Sequence, residues 1–130
     1  MTALGDRDGP PREAQQRQKL LDALKSKLLL WGNELAQQAP ARFHQQLSLA
    51  EELATQADGP ETLRHLLLDQ QAPTVGWRHN SLHLTASQHL EAIEQAAAGD
   101  VDLWQQAAVR YWGYARLSYL ARQLAPPRKH

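Results

Sequence analysis

Cysteine is absent from this chain of 130 residues, and residues that favour β-strands are scarce. Without cysteine the chain can form no disulfide, no thiolate nucleophile and no cysteine-ligated zinc site. Valine and isoleucine together occur only four times, too few for the half-buried faces of a sheet. Leucine, alanine and glutamine supply 57 residues, and all three lose little side-chain freedom in a helix. The composition therefore predicts an all-α protein.

Long apolar runs and recognisable targeting segments are missing as well. The longest apolar run, residues 28–31, has four members, whereas a membrane-spanning helix needs about twenty. The first thirteen residues contain acidic side chains and prolines, so they resemble neither a signal peptide nor a basic transit segment. We therefore expect a cytoplasmic protein without a membrane partner.

Glycine, proline and aspartate divide the chain into five predicted helices, which cover residues 12–38, 41–57, 61–71, 74–98 and 101–124. Because the connections are short, neighbouring helices are expected to run antiparallel. The sequence predicts one domain, an antiparallel helical bundle over residues 12–125. A flexible tail is expected at residues 1–11 and a second tail at residues 126–130.

Apolar residues recur at helical spacing within the predicted helices. The spacing in the first helix alternates between three and four residues, which is typical of bundles and coiled coils. The residues predicted to face inward are Leu21, Leu24, Leu28, Trp31, Leu35, Phe43, Leu47, Ala50, Ala54, Ala57, Leu63, Leu66, Leu67, Val75, Leu82, Ala86, Leu90, Ile93 and Ala97. The run at 28–31 covers more than one helix face, which indicates burial on several sides or contact with a partner.

Motifs that carry catalysis are few. The seven glycines form neither GxGxxG nor GxxxxGK[ST], so no phosphate-binding loop is present. His79 and His83 stand four residues apart, a spacing that can chelate a metal, but two histidines make only half a site. Glu91 and Glu94 form either a carboxylate pair or a solvated helix face. The sequence predicts neither a cofactor nor an enzyme, and a metal-dependent enzyme built on the two histidines is the alternative.

Charge is distributed unevenly along the chain, although the formal total is zero. Residues 51–102 carry two basic and nine acidic groups, and residues 103–130 carry five basic groups and no acid. The second segment also contains the aromatic residues Trp104, Tyr111, Trp112, Tyr114 and Tyr119. Such a segment can hold phosphates while bases stack on the rings, or it can bind an acidic peptide. In the other interpretation, the packed face of the last helix is simply formed by Trp104, Tyr111, Trp112 and Ala115.

One stretch of sequence has a residue pattern that helical periodicity alone does not explain. The residues LRHLLLDQQAPTVGW at positions 63–77, followed by HLEAIEQ at positions 89–95, resemble the family of the primosomal replication protein PriC. That family has a similar LRH…QQ.P.V.W pattern before a helix that contains LEAI. Ala41-Arg42-Phe43 with Leu47 is also similar to the family's ARF…L pattern. The resemblance covers residues 41–95, and the C-terminal part of this chain is shorter and divergent.

The resemblance implies a non-enzymatic adaptor in DNA replication restart. Such a protein binds the acidic C-terminal tail of the single-stranded-DNA-binding protein SSB, binds single-stranded or forked DNA, and assists loading of the replicative helicase DnaB. The candidate contact residues are Arg42, Arg64, Trp77, Arg78, Arg110, Trp112, Tyr114 and Arg116. The alternative is a structural or regulatory helical protein that acts through partner-helix contacts or through a homo-oligomer formed by the stripe at 21–35.

Overall fold

The computed structural model describes residues 2–69 and 75–124, with the side chains of residues 14–67, 77–79 and 81–123. All elements in these ranges are helical, which confirms the predicted all-α bundle. A π-helical turn, His65–Asp69, follows the third helix, and a 3₁₀ turn, His79–Ser81, precedes the fifth. The helices are α1 Thr2–Gln38, α2 His44–Gln56, α3 Pro60–Arg64, α4 Val75–Arg78, α5 Leu82–Ala97 and α6 Val101–Leu124.

The first and last helices run parallel to each other. Near the beginning of α6, Arg17 of α1 donates to Asp100 over 3.2 Å. Near the end of α6, Arg122 donates to the carbonyl of Ala36 in α1 over 3.0 Å. Because residue numbers rise together along both helices, α1 and α6 point the same way.

The helices α2 and α5 run in the opposite direction. Gln105, early in α6, donates to the carbonyl of Ala57 just after α2 over 2.9 Å. Glu34 in α1 lies 2.8 Å from His89 in α5, and residues later in α1 meet residues earlier in α5. The consecutive pairs α1–α2 and α5–α6 are therefore antiparallel, as predicted. Since α2 and α5 share a direction, both helices begin at the same end of the bundle.

The helix α6 lies at the centre of the fold. It contacts α1, α2 and α5, and its apolar residues occupy several faces, as expected for a helix buried on more than one side. Its buried members are Leu103, Trp104, Ala107, Ala108, Tyr111, Trp112, Ala115 and Tyr119. The interpretation of Trp104 and Tyr111 as core residues is confirmed.

A glycine allows α1 and α6 to approach closely. A Cβ atom at Gly32 would lie 2.9 Å from the backbone nitrogen of Ala115 and 3.2 Å from the carbonyl oxygen of Tyr111. Real Cβ atoms essentially never make a contact as short as 2.9 Å, so only glycine fits here at the observed helix separation. The glycine that weakens α1 as an isolated helix is what permits its packing in the bundle.

The predicted apolar stripe of α1 packs against other helices of the same chain. Leu21, Leu28 and Leu35 are fully buried, and Leu24 and Trp31 pack against the core with partial exposure. This arrangement corrects the idea that the stripe at 21–35 forms a homo-oligomer, because its residues already pack within one molecule. Two neighbours in the run at 28–31, Leu29 and Leu30, remain 44% and 62% exposed.

The structure differs from the sequence prediction at two helix boundaries. The helix α1 begins at Thr2 rather than near residue 12, so it includes most of the predicted tail at 1–11. Pro10 and Pro11 can lie in this helix because the φ angle that proline fixes is helical, although each proline removes one amide donor. The predicted helix 74–98 is interrupted at Ser81, whose φ is 55°, and this left-handed residue redirects the chain into α5. The predicted tail at 126–130 lies outside the described residues.

Across residues 2–69 and 75–124, no helix combines the length and the apolar character that crossing a bilayer requires.

Candidate functional site

Three aromatic residues hold distant segments together at one end of the bundle. The rings of Phe43 and Trp77 meet edge to face with centroids 4.9 Å apart, joining the α1–α2 turn to α4. The hydroxyl of Tyr119 in α6 donates to the carbonyl of Pro40 over 2.6 Å and accepts from the amide of Phe43 over 3.0 Å. All three aromatic side chains are buried. We call Phe43, Trp77 and Tyr119 the aromatic clamp.

The aromatic clamp brings three arginines to the same end of the molecule. Arg42 precedes Phe43, Arg78 follows Trp77, and Arg122 lies one helical turn beyond Tyr119. All three are exposed, and none lies within 4.0 Å of a carboxylate in the part of the chain that the structure describes. We call these three arginines, with the neighbouring His44 and His79, the basic end.

The described segments around the basic end contain no acidic residue. The segments that meet there, residues 35–48, 75–85 and 117–124, contain neither aspartate nor glutamate. Such a surface attracts polyanions by Coulombic steering, and the attraction weakens as salt increases.

Arg42 also adopts an unusual backbone conformation. Its φ is 64°, in the left-handed region that costs a residue with a Cβ atom roughly 1 kcal/mol or more. Glycine or asparagine would occupy this turn position at lower cost. Strained residues of this kind are concentrated at functional sites, so the exposed Arg42 is a candidate for function rather than for stability.

The structure corrects two of the predicted contacts. Trp77 and Trp112 are completely buried, with ring centroids 6.0 Å apart. Neither ring can stack on a nucleic-acid base, because each is covered by the chain itself. Trp77 instead positions the basic end, and its indole N–H donates to Gln46 over 3.1 Å.

Two of the predicted arginine contacts are engaged in ion pairs within the chain. Arg64 lies 2.6 Å from Glu94, and Arg116 lies 2.7 Å from Glu51. Each guanidinium is already neutralised by a carboxylate, so it offers less to a polyanionic partner than the arginines of the basic end. Arg42 and Arg78 are therefore the stronger candidates among the residues that the sequence singled out.

The two remaining predicted contacts lie along the side of α6. Arg110 is half-buried in a shallow depression that it shares with Thr55 and Gln105. Tyr114 is half-exposed and lines a groove between α1 and α6. We call it the apolar groove; its lining residues are Leu29, Leu30, Asn33, Tyr114, Leu117 and Ser118. Leu30 and Leu117 are 62% and 55% exposed, which marks the groove as a surface that a partner can cover.

The opposite end of the bundle is acidic. A cleft of about 570 Å³ lies between the α2–α3 turn, the end of α5 and the beginning of α6, with Asp58, Glu61, Glu94 and Asp100 among its lining residues. The backbone amide of Leu103 donates to Asp100 and, with help from Arg17, lowers the pKa of that carboxyl below its usual value. Asp102, the second residue of α6, has a side chain that is 73% exposed. We call these five carboxylates the acidic end.

A buried histidine forms a network that the sequence did not reveal. His89 of α5 has its Nδ1 atom 2.7 Å from the hydroxyl of Tyr111 and its Nε2 atom 2.8 Å from Glu34. Burial lowers the pKa of His89 and raises the pKa of Tyr111 well above its ordinary value. We assign a neutral imidazole that accepts from Tyr111 and donates to Glu34. The signal was present, because Leu82, Ala86, His89 and Ile93 share one buried helical stripe.

Histidine, tyrosine and glutamate also occur together in catalytic proton relays, but a substrate could not reach this network. Tyr111 is fully buried, so its hydroxyl cannot reach a substrate from solvent. Trp31 stacks on the imidazole with centroids 5.8 Å apart and covers it further. The arrangement joins α1, α5 and α6 through satisfied polar contacts.

The predicted histidine and carboxylate pairs have other neighbours in the structure. In the described ranges, no group of three or more residues that could hold a metal ion is found. His79 lies in the 3₁₀ turn, whereas Nδ1 of His83 is 3.1 Å from the carbonyl of Trp77. Glu94 pairs with Arg64 and not with Glu91.

Comparison of the chain with models of known protein families, with curated proteins and with solved structures finds no match.

Proposed function

We propose that this chain is a non-enzymatic, PriC-like adaptor of DNA replication restart, which binds SSB or single-stranded DNA and assists loading of the replicative helicase. The observation that carries the proposal is the basic end, where three exposed arginines from separate segments meet and no carboxylate of the described residues neutralises them. The resemblance of residues 41–95 to the PriC family supports the functional class. Arg42 and Arg78 lie within that stretch.

Both ligands in this proposal are polyanions, and the basic end suits either one. A guanidinium donates two parallel hydrogen bonds to a phosphate or to a carboxylate. Phosphate contacts carry no information about base sequence, and the buried Trp77 and Trp112 offer no stacking surface. We therefore expect DNA binding that depends strongly on salt and weakly on sequence.

The apolar groove can contribute to binding of the SSB tail. An acidic tail with an apolar side chain needs a cationic surface and a pocket for that side chain. The groove provides exposed Leu30 and Leu117, and cations lie one helical turn before it on both helices, as Lys25 before Leu29 and as Arg110 before Tyr114. In this proposal Tyr114 and Arg110 contact the tail, whereas Arg64 and Arg116 stabilise the bundle.

The test compares two triple variants with the same change of charge. The first, Arg42→Gln/Arg78→Gln/Arg122→Gln, removes the charges of the basic end. The second, Lys19→Gln/Lys25→Gln/Lys27→Gln, removes three exposed charges from α1. Fluorescence anisotropy with a labelled single-stranded oligonucleotide and a labelled SSB tail peptide measures binding, and thermal melting confirms that each variant is folded.

We expect the basic-end variant to lose about tenfold or more in DNA affinity, and the α1 variant to lose no more than about threefold, because only the first removes clustered phosphate contacts. Equal affinities of the two variants and the unchanged chain would contradict a binding role of the basic end. Loss of peptide binding only in the α1 variant would place the tail beside the apolar groove.

A second function is favoured by a separate observation, the exposure of Leu30 and Leu117. A structural or regulatory helical protein would cover these leucines with a second copy or with a partner helix. The variant Leu30→Gln/Leu117→Gln removes the apolar surface, and Leu84→Gln, which alters a 54% exposed leucine on α5, is the control. Sedimentation of a dimer that only the first variant dissociates would favour this function over the adaptor.

A further inference from the structure

The two ends of the bundle carry opposite charge and lie far apart. The helix α6 runs from Asp102 near its first residue to Arg122 near its last. Its 24 residues span about 36 Å at 1.5 Å per residue. This separation exceeds the screening length of roughly 8 Å at physiological salt several times over. The charges of one end therefore cannot neutralise those of the other within one molecule.

Part of the acidic end lacks a cationic partner. Asp58 and Glu61 have no arginine, lysine or histidine nitrogen within 4.0 Å in the described part of the chain. Asp102 is 73% exposed, and its nearest guanidinium nitrogen, on Arg17, is 3.9 Å away. Asp58 also accepts from the hydroxyl of Thr62, and Asp102 forms a long ion pair with Arg17, but all three carboxylates are exposed and can accept from further cations.

The cleft of the acidic end also contains an unused hydrogen-bond donor. Trp104 lines the cleft, is only 2% exposed, and its indole N–H has no acceptor among the residues that the structure describes. A buried donor without an acceptor costs roughly 1–3 kcal/mol. The carboxylates of the cleft suit a cation, and an oxygen acceptor that enters beside Trp104 would satisfy the indole N–H.

An arginine in an exposed turn meets both requirements. Its guanidinium donates to carboxylates, and the adjacent backbone carbonyls accept hydrogen bonds. The basic end presents such a turn, because Ala41 and Arg42 are both exposed between α1 and α2. The left-handed backbone of Arg42 belongs to this same turn.

We propose that the acidic end of one molecule binds the basic end of a second copy of the same chain. This contact is heterologous, so every row of molecules keeps one free acidic end and one free basic end, and the association stays open. The chain has no net formal charge, so no long-range repulsion opposes the approach of two copies. The proposal does not rest on the proposed function, because it needs neither DNA nor SSB.

The size of the surface makes the association weak. An end of a four-helix bundle with helices 8–10 Å apart is roughly 20 Å across. It can bury about 400 Å² per copy, half of what a standard stable complex buries. We expect association at protein concentrations of about 0.1–1 mM and at low salt, where charge pairs are least screened.

The test uses two charge-reversal variants in sedimentation experiments. The basic-end reversal is Arg42→Glu/Arg78→Glu, and the acidic-end reversal is Glu61→Lys/Asp102→Lys; all four residues are exposed. The control, Lys25→Glu/Lys27→Glu, makes the same change of charge on α1 as the basic-end reversal makes at its end. Thermal melting establishes that every variant is folded, so that a loss of association is not a loss of structure.

We expect the unchanged chain and the control to show an average mass that rises with concentration at about 20 mM salt and falls to that of a monomer at about 300 mM. Each reversal alone stays monomeric, because its two ends then carry the same sign. An equimolar mixture of the two reversals recovers association, since each variant supplies the end that the other lacks. Recovery in the mixture is the result that requires end-to-end contact.

Two results would overturn the proposal. One is a monomer for the unchanged chain at about 1 mM and low salt, conditions under which a weak charged contact must be populated. The other is association that survives both reversals, which would assign it to the apolar groove instead. Neither result bears on DNA or peptide binding, so the proposed function and this inference can fail independently.

Discussion

Replacement of Gly32 by alanine tests how closely α1 and α6 pack. In an isolated helix, alanine is more favourable than glycine by about 1 kcal/mol. In the bundle, the new Cβ atom meets the backbone nitrogen of Ala115 at 2.9 Å and the Cβ of Tyr114 at 3.0 Å. Neither atom can rotate away, so the two helices must separate.

The size of the effect follows from that separation. Overpacking of a core costs about 1–3 kcal/mol, and a gap of 0.5–1 Å loses a quarter to a half of the dispersion energy along an interface. Because the close contacts are with a backbone nitrogen and a Cβ atom, the upper part of this range, about 2–3 kcal/mol, applies. After subtraction of the helix-propensity gain of about 1 kcal/mol, we expect Gly32→Ala to lower the free energy of unfolding by about 1–2 kcal/mol. This corresponds to a fall of about 3–8 °C in melting temperature for a domain of this size.

Gly113 in α6 supplies the matched control. A Cβ atom there would lie 3.2 Å from Oε2 of Glu51, and a carboxylate at the end of a flexible side chain can move aside. We therefore expect Gly113→Ala to leave stability unchanged or to raise it by up to about 1 kcal/mol. Urea unfolding followed by circular dichroism measures both variants. A Gly32→Ala variant as stable as the unchanged chain would refute the close packing of α1 against α6.

Three further predictions concern local features of the fold. Ala98 caps α5 with a φ of 50°, so Ala98→Gly should raise the free energy of unfolding by about 0.5–1 kcal/mol. The control Ala96→Gly, within α5, should lower it by about 1 kcal/mol. A loss of stability of Ala98→Gly in urea unfolding would contradict the left-handed cap. Because burial lowers the pKa of His89 in the folded chain, the unfolded chain binds the extra proton first, and stability should fall as the pH drops below about 6.5. Urea unfolding at a series of pH values should show that His89→Gln loses less stability at low pH than the unchanged chain. The exposed control His79→Gln should lose as much as the unchanged chain. Identical profiles for all three proteins would argue against the buried network. Tyr119→Phe leaves the amide of Phe43 without its acceptor and should lower the free energy of unfolding, measured by thermal melting, by about 1–3 kcal/mol. The control Tyr114→Phe should lower it by less than about 0.5 kcal/mol. Equal effects of the two variants would contradict the role of Tyr119 in the aromatic clamp.

The sequence was sufficient to predict the helices and most of the buried faces. Composition and spacing identify α2 and α6 closely, since Leu47, Ala50 and Ala54 of α2 are all fully buried. Local periodicity succeeds here because each of these helices presents its apolar residues to neighbours at regular intervals. The same reasoning did not identify His89, because its polar side chain conceals a position on the buried stripe of α5.

The candidate site could be predicted only in part. Sequence reasoning selected Arg42 and Arg78 but omitted Arg122, because only long-range packing through Phe43, Trp77 and Tyr119 brings the three arginines to one end. It also assigned contact roles to Trp77 and Trp112, since aromatic residues beside arginines suit both a binding surface and a core. Burial distinguishes these two roles, and burial depends on the tertiary arrangement of the helices.

The measurement that bears most directly on the proposed adaptor is the salt dependence of single-stranded DNA binding. Each phosphate contact contributes about −0.7 to the slope of log affinity against log salt. The three arginines of the basic end therefore predict a slope near −2 for the unchanged chain. The Arg42→Gln/Arg78→Gln/Arg122→Gln variant should have a slope close to zero. A slope near zero for the unchanged chain, or a slope that the triple variant retains, would contradict DNA binding by the basic end.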